Sequence, residues 1–230
     1  DHQQHFHHLT SAPATDSTVM GDFSERANRF YFNPGLYVSL EKRGERYYQA
    51  AWRNGKEQVA RPFDIVVGSG KRGQTFLYWH QQYLFQLPIS YFTETKEWTN
   101  SPGYSNIVQF NRPITARCME CHSTWIQQEE KPGAKADVFA REGMILGVEC
   151  EKCHGPAKSH ADYHQLHPGE KKAHAILSLS SMTRLQQLDQ CRLCHGGMLS
   201  KTKPSFSFRP GDRLDDFFRK DTNATPVEEI

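Results

Sequence analysis

The sequence predicts an α+β fold, with an antiparallel β-meander in its N-terminal half followed by a segment of short helices and loops. Two patterns predict this. From residue 30 to about 93, aromatic and β-branched runs alternate with turn-forming residues. Beyond residue 112 that alternation stops, and the pentapeptide C-x-x-C-H occurs three times: at Cys118, Cys121 and His122, at Cys150, Cys153 and His154, and at Cys191, Cys194 and His195. The expected division is therefore an arm over 1–29, a β-rich domain over 30–111 and a motif-bearing domain over 112–230.

The arm carries His2, His5, His7 and His8 in its first eight residues, then a small, polar Thr-Ser-Ala-Pro-Ala-Thr run. The interspersed Gln and Phe argue against a purification tag. In the β-rich segment the runs 35–41 and 46–52 flank a turn around Gly44, and Asn54-Gly55 is the strongest short hairpin signal known. Further strand-like runs follow at 58–60, 63–67, 75–80 and 83–87, which together predict a small meander sheet. His80 stands at the end of one of these runs and is a weaker metal-ligand candidate.

Gly68, Gly70 and Gly73 fit G-x-G-x-x-G. A phosphate-binding loop needs a helix directly after the glycines, and an aromatic strand-like run follows here instead, so the reading is a hairpin loop. Its Lys71 and Arg72 are placed to touch a cofactor carboxylate or a partner.

The three pentapeptides carry the chemistry. Cysteines three positions apart lie on the same side of a helical turn, with the histidine on nearly that same side, so one turn holds both thiols and an imidazole. This is the pattern of c-type haem attachment, in which both thiols bond to the porphyrin and the histidine ligates iron. Zinc gives no reason for a histidine after every second cysteine, and a thioredoxin-like pair needs a strand-helix-strand frame. The expectation is three covalently bound haem c groups, with His122, His154 and His195 as proximal ligands. Leu185, Leu188 and Cys191 recur at helical spacing ahead of the third motif, and Gly196-Gly197 stops that helix.

Twelve histidines leave nine after the proximal three, which suggests bis-histidine ligation. His160 and His164 are four apart and share a helix face, making both candidates for distal ligands. His7 and His8 are further candidates in the arm, while His167 and His174 rank lower. The five methionines are explained as packing residues. No catalytic residue is assigned. With 37% hydrophobic residues the core supply is modest, so the second half is expected to pack around porphyrin. A net charge of +2 without a long basic run speaks against nucleic acid, and no apolar run of about 18 residues spans a bilayer.

The stretch Gly147 to Pro156, with His160 following, resembles the G-V-x-C-x-x-C-H-G-P-x-x-x-H pattern of exported multihaem c-type cytochromes related to the tetrahaem cytochrome that accepts electrons from hydroxylamine oxidoreductase. The resemblance extends over 7–15, 63–79, 86–92, 101–122 and 205–218. It implies that His160 ligates a different haem from the one its own motif carries. It also implies that a histidine before the Thr10 to Thr15 run, best matched by His7 with His8 as fallback, is a distal ligand. Similar proteins carry further C-x-x-C-H motifs at both ends. Location in the periplasm or at the cell surface follows, with an export signal removed. The leading function is electron transfer between redox donor and acceptor proteins. A haem enzyme with one open iron, acting on a small nitrogen or sulfur oxyanion, is the alternative, as is a subunit of a polymeric cytochrome wire formed with other haem subunits or by self-assembly.

Overall fold

The computed structural model describes residues 2–104, 106–197 and 199–220. They form a mixed fold of many antiparallel strands and few helices, in two compact units, 1–148 and 149–230.

The first unit is built around two large antiparallel sheets, with two small pairs beside them, Ser123–Trp125 with Ile145–Leu146 and Gln128–Glu129 with Val138–Phe139. Strands β2 (Arg29–Asn33), β3 (Leu36–Arg43), β4 (Arg46–Arg53) and β5 (Lys56–Pro62) form one sheet in chain order. Its hairpins have the chemistry that the sequence announces: Gly44, with φ 61°, turns β3 into β4, and Asn54 and Gly55, both left-handed at φ 50° and 73°, turn β4 into β5. The second large sheet is made of β1 (Ser11–Pro13), β6 (Ile65–Val67), β7 (Gly73–His80), β8 (Tyr83–Gln86), β9 (Ile89–Phe92), β10 (Glu97–Asn100) and β11 (Arg112–Pro113). They pair in the order β1-β6-β7-β8-β11, with β9 joined to both β7 and β10.

The segment expected to be one meander is thus two sheets. The chain changes sheet between β5 and β6, where alternation alone does not reveal which neighbour a strand will choose. Val38, Leu40 and Ala51 of the first sheet meet Phe63, Phe76, Leu87, Ile89 and Trp98 in a single core. Gln49, fully buried, joins the two by its side chain: Nε2 donates to the Ile89 carbonyl at 2.7 Å, and Oε1 accepts from Ile89 N–H at 3.0 Å.

The arm is partly strand. Ser11, Ala12 and Pro13 pair with Val67, Val66 and Ile65, and Gly68 N–H donates to the Thr10 carbonyl. The first motif also lies in this unit, because β11 pairs with β8 and Ile114 N–H donates to the Leu84 carbonyl just ahead of its helix.

The second unit contains helices α2 (Cys150–His154), α3 (Lys158–Leu166) and α4 (Arg184–His195), and a small antiparallel pair of Leu199–Lys201 with Phe218–Lys220. Thr183 and Gln186 close a capping box at the start of α4. A small apolar cluster there holds Leu193, Phe208, Leu214 and Phe218. The buried Asp189 braces it, accepting from Arg192 at 2.6 Å and from Leu214 N–H at 3.0 Å. Among the described residues no helix is long and apolar enough to cross a membrane.

Gln49→Leu removes two buried hydrogen bonds while leaving the Ile89 backbone groups without partners, so it is expected to destabilise the first unit by about 2–3 kcal/mol. Urea unfolding followed by tryptophan fluorescence checks this, with a lower midpoint and an unchanged slope.

Candidate functional site

Each pentapeptide occupies about one helical turn that ends at its histidine. In the first, helix α1 (Ala116–His122) starts at Thr115, whose side chain accepts from Cys118 N–H at 3.3 Å, while Asp137 accepts from Ala116 N–H at 2.6 Å. Met119 and Glu120 point inward, with Glu120 paired to Arg117 at 3.0 Å, so that Cys118 is left exposed and Cys121 half-buried. The C-terminal end of the helix is tied to the arm: Ser11 Oγ donates to the His122 carbonyl at 2.5 Å, and Thr10 Oγ1 does so at 3.4 Å.

Cys118 and His122 line a cavity of about 410 Å³, within the size range of cofactor sites. Its far wall comes from the sheets, including Leu77, Gln86, Tyr91 and Phe92, with Arg72 and Arg112 also on the lining. The surface of His122 is accessible, yet the protein around it desolvates the ring and lowers its pKa. Both hold because the ring faces a space bounded by protein. Arg112 is held by Tyr104, whose ring lies 5.2 Å away, and by the Pro102 carbonyl at 2.6 Å.

The second motif is the single turn α2, ended by Gly155 at a positive φ of 74° that glycine adopts readily. His154 Nδ1 lies 2.8 Å from the Leu177 carbonyl, and Leu177 N–H donates back to the His154 carbonyl at 3.2 Å. His154, Pro156, Ile176 and Arg209 line a cavity of about 460 Å³. The third motif ends α4. Burial pushes the Cys153 thiol pKa up, and Cys191 adds to that push, so the second and third motifs are close neighbours. Leu185 and Leu188 are each 41% exposed, so the apolar stripe that predicts α4 lies at the surface on the Cys191 side rather than in the core.

The distal candidates fall into three places. On α3, His160 and His164 share a face as their spacing requires, with ring centroids 4.5 Å apart. His160 Nδ1 lies 2.8 Å from the His174 carbonyl, and His164 Nε2 is buried without a hydrogen-bond partner. His174 and His167 are occupied differently, since their rings stack on the two sides of Tyr163 at 3.8 and 4.3 Å. In the arm His7 is exposed and His8 half-buried; the His7 carbonyl accepts from Val148 N–H at 2.9 Å, immediately before the second motif in sequence. His80 is exposed at the β7–β8 hairpin and is not among the residues lining the His122 cavity.

The donor set fits haem c. All six cysteines are free of disulfides. His154 and His160 each spend Nδ1 on a carbonyl, which fixes the ring and turns Nε2 outward as an iron ligand requires. His164 Nε2 is an orphaned polar atom of the kind that a ligand satisfies. Leu177 and His174 supply those carbonyls through their backbone and Arg209 lines the His154 cavity, and nothing in the residue types of that stretch signals either role.

The family described as cytochrome c554 and c-prime matches residues 90–155, a stretch that holds the first two motifs. No curated protein matches the chain. Among solved structures, the outer cell wall cytochrome OcwA is similar at a TM-score of 0.46 with 19% identity, over 68% of this chain and 33% of that one. The chain thus spans a third of that protein's length. The family match supports a multihaem cytochrome with covalently bound haem c.

Arg72 forms no ion pair among the described residues, whereas Lys71 sits 4.6 Å over the Phe6 ring. With haem c bound at the first motif, Arg72→Gln is expected to lower the midpoint potential of one haem, because a nearby cation favours the reduced form. Spectroelectrochemistry checks this, with Lys71→Gln as the variant that leaves the potential in place.

Proposed function

We propose that this chain is a three-haem c-type cytochrome that transfers electrons outside the cytoplasmic membrane between a donor and an acceptor protein, in the manner of the tetrahaem relatives that its second motif resembles. The observation that carries this reading is the preparation of the histidines at the second motif: His154 and His160 both have Nδ1 engaged by carbonyls 2.8 Å away and Nε2 left over. Haem c, when bound, supplies reversible one-electron chemistry at iron. The thiols of Cys118, Cys121, Cys150, Cys153, Cys191 and Cys194 hold it, and His122, His154 and His195 are its proximal ligands.

His160, His164 and His7 are the distal ligands in this reading, with His8 and His80 the weaker candidates. The case for His160 rests on its fixed ring and that for His164 on its unsatisfied buried nitrogen. The case for His7 rests on an arm bonded to the His122 carbonyl at one end and to Val148 N–H at the other. Such a set uses every iron position for structure and leaves potential to be tuned by ring hydrogen bonds and burial. The proximity of Cys153 to Cys191 supports close spacing of two haems.

Intact mass of the exported protein and the pyridine haemochrome spectrum are expected to give three haems per chain. Electron paramagnetic resonance is expected to show only low-spin ferric haem, and a high-spin signal in the wild type replaces this reading with that of a haem enzyme having an open iron. His160→Ala and His7→Ala are each expected to convert one haem to high spin, while His80→Ala leaves the spectrum unchanged.

A further inference from the structure

Residues 174 to 177 serve two imidazoles from their two ends. The His174 carbonyl accepts from Nδ1 of His160 and the Leu177 carbonyl from Nδ1 of His154, each at 2.8 Å. A carbonyl only accepts, so both rings carry a proton on Nδ1 and keep a bare Nε2. The acceptors are three positions apart, while the rings stand on different elements, at the end of α2 and in the first turn of α3.

Between the acceptors, Ala175 is left-handed at φ 51°. Asn54, Gln81 and Lys96 also have positive φ, but they occupy hairpin turns, and Ala175 does not. Alanine has no polar side chain to offset the crowding of its Cβ in this conformation, so the surrounding structure holds it there. Each end of the loop has an anchor besides its carbonyl: the Tyr163 ring stacks on the His174 ring at 3.8 Å, and Leu177 N–H donates to the His154 carbonyl at 3.2 Å. The planar peptide that carries the His174 carbonyl joins the rest of the loop through the N–Cα bond of Ala175, so φ there fixes the angle between that carbonyl and the chain leading to Leu177. A helical φ would turn the peptide by roughly 110°. The loop would then keep one histidine and lose the other.

We propose that Ala175 is a positioning residue whose left-handed backbone lets one loop clamp both imidazoles, so that two iron ligands are tuned as a unit. A carbonyl on Nδ1–H makes an imidazole a stronger donor and favours ferric iron. The effect on iron rests on the reading of His154 and His160 as ligands, whereas the double clamp does not. In the reduced holo-protein labelled with ring-15N histidine, NMR is expected to show both Nδ1–H groups exchanging slowly with solvent. Ala175→Val, β-branched and unsuited to positive φ, is expected to speed both about tenfold. Ala175→Asn, similar in size but tolerant of left-handed backbone, and Ala175→Gly leave both slow. By spectroelectrochemistry, A175V raises the midpoint potential of the iron at each ring, and A175N and A175G do not. Faster exchange at one ring only, or at neither, in folded A175V overturns the double clamp. Faster exchange at both rings with unmoved potentials overturns the tuning, provided His160→Ala turns a haem high-spin; if it does not, the ligand reading fails and the exchange rates still decide the clamp. Haem absorbance and circular dichroism report folding. Should A175V not fold, Tyr163→Leu, which removes the ring stacked on His174, decides by the same readouts, with both rings and both potentials expected to respond together.

Discussion

Two imidazoles of the second unit, those of His154 and His160, each commit one ring nitrogen to a backbone carbonyl, which fixes the ring and leaves the other nitrogen to act. The acceptors are the carbonyls of His174 and Leu177, both in the irregular stretch that follows α3. Irregular backbone suits this role. Within a helix or sheet a carbonyl is already engaged by the ladder, whereas a loop carbonyl is free to accept from a side chain. The exchange between His154 and Leu177 is reciprocal, each residue bonding the other's carbonyl, so the loop and the end of the motif fix one another. Tyr163, stacked between His167 and His174, holds the same loop against α3.

The two units differ in what they pack around. The first has a continuous aromatic and aliphatic core between its sheets, and Gln49 bonds the sheets to each other across it. In the second, α2 and α3 contain no buried residue and α4 buries only Asp189 and Leu193. Short helices gain their stability from packing rather than propensity, so helices that bury so little of themselves depend on caps, on Asp189 and on whatever covers Leu185, Leu188 and the thiol-bearing turns. An apolar disc such as porphyrin has the right chemistry for that surface and makes no demand on the leucine content of the chain.

How much of this was legible in the sequence varied with the range of the interaction. The turns at Gly44 and Asn54-Gly55, the helix of the third motif, the shared face of His160 and His164, and the hairpin nature of the glycine loop all depend on residues a few positions apart, and local chemistry determines them. The splitting of the strands into two sheets, the pairing of the arm with β6 and the placing of the first motif on the sheet unit depend on partners tens to more than a hundred residues away. Alternation says which face of a strand is apolar, not which strand lies beside it. The helix of the third motif shows the limit in one element. Leu185 and Leu188 gave its period correctly, yet their face is turned outward, because periodicity reveals an apolar stripe and not what covers it.

The glycine-rich hairpin shows how a short motif acquires its meaning from such distant partners. A Cβ on Gly73 would lie 2.6 Å from the Tyr91 carbonyl, and one on Gly68 would lie 2.5 Å from the Gly73 carbonyl. Gly73 therefore lets β7 and β9 approach where Gln74 pairs with Tyr91, and Gly68, at φ 111°, lets the loop fold back on itself. Gly73, Tyr91 and Phe92, together with Arg72, line the cavity that His122 faces. Glycines that in a nucleotide-binding loop admit a phosphate here admit a second strand, and the strand they admit forms a wall of the site. The β-rich strands thereby wall the cavity at the first motif, and that motif is found with the sheets and not with the other two.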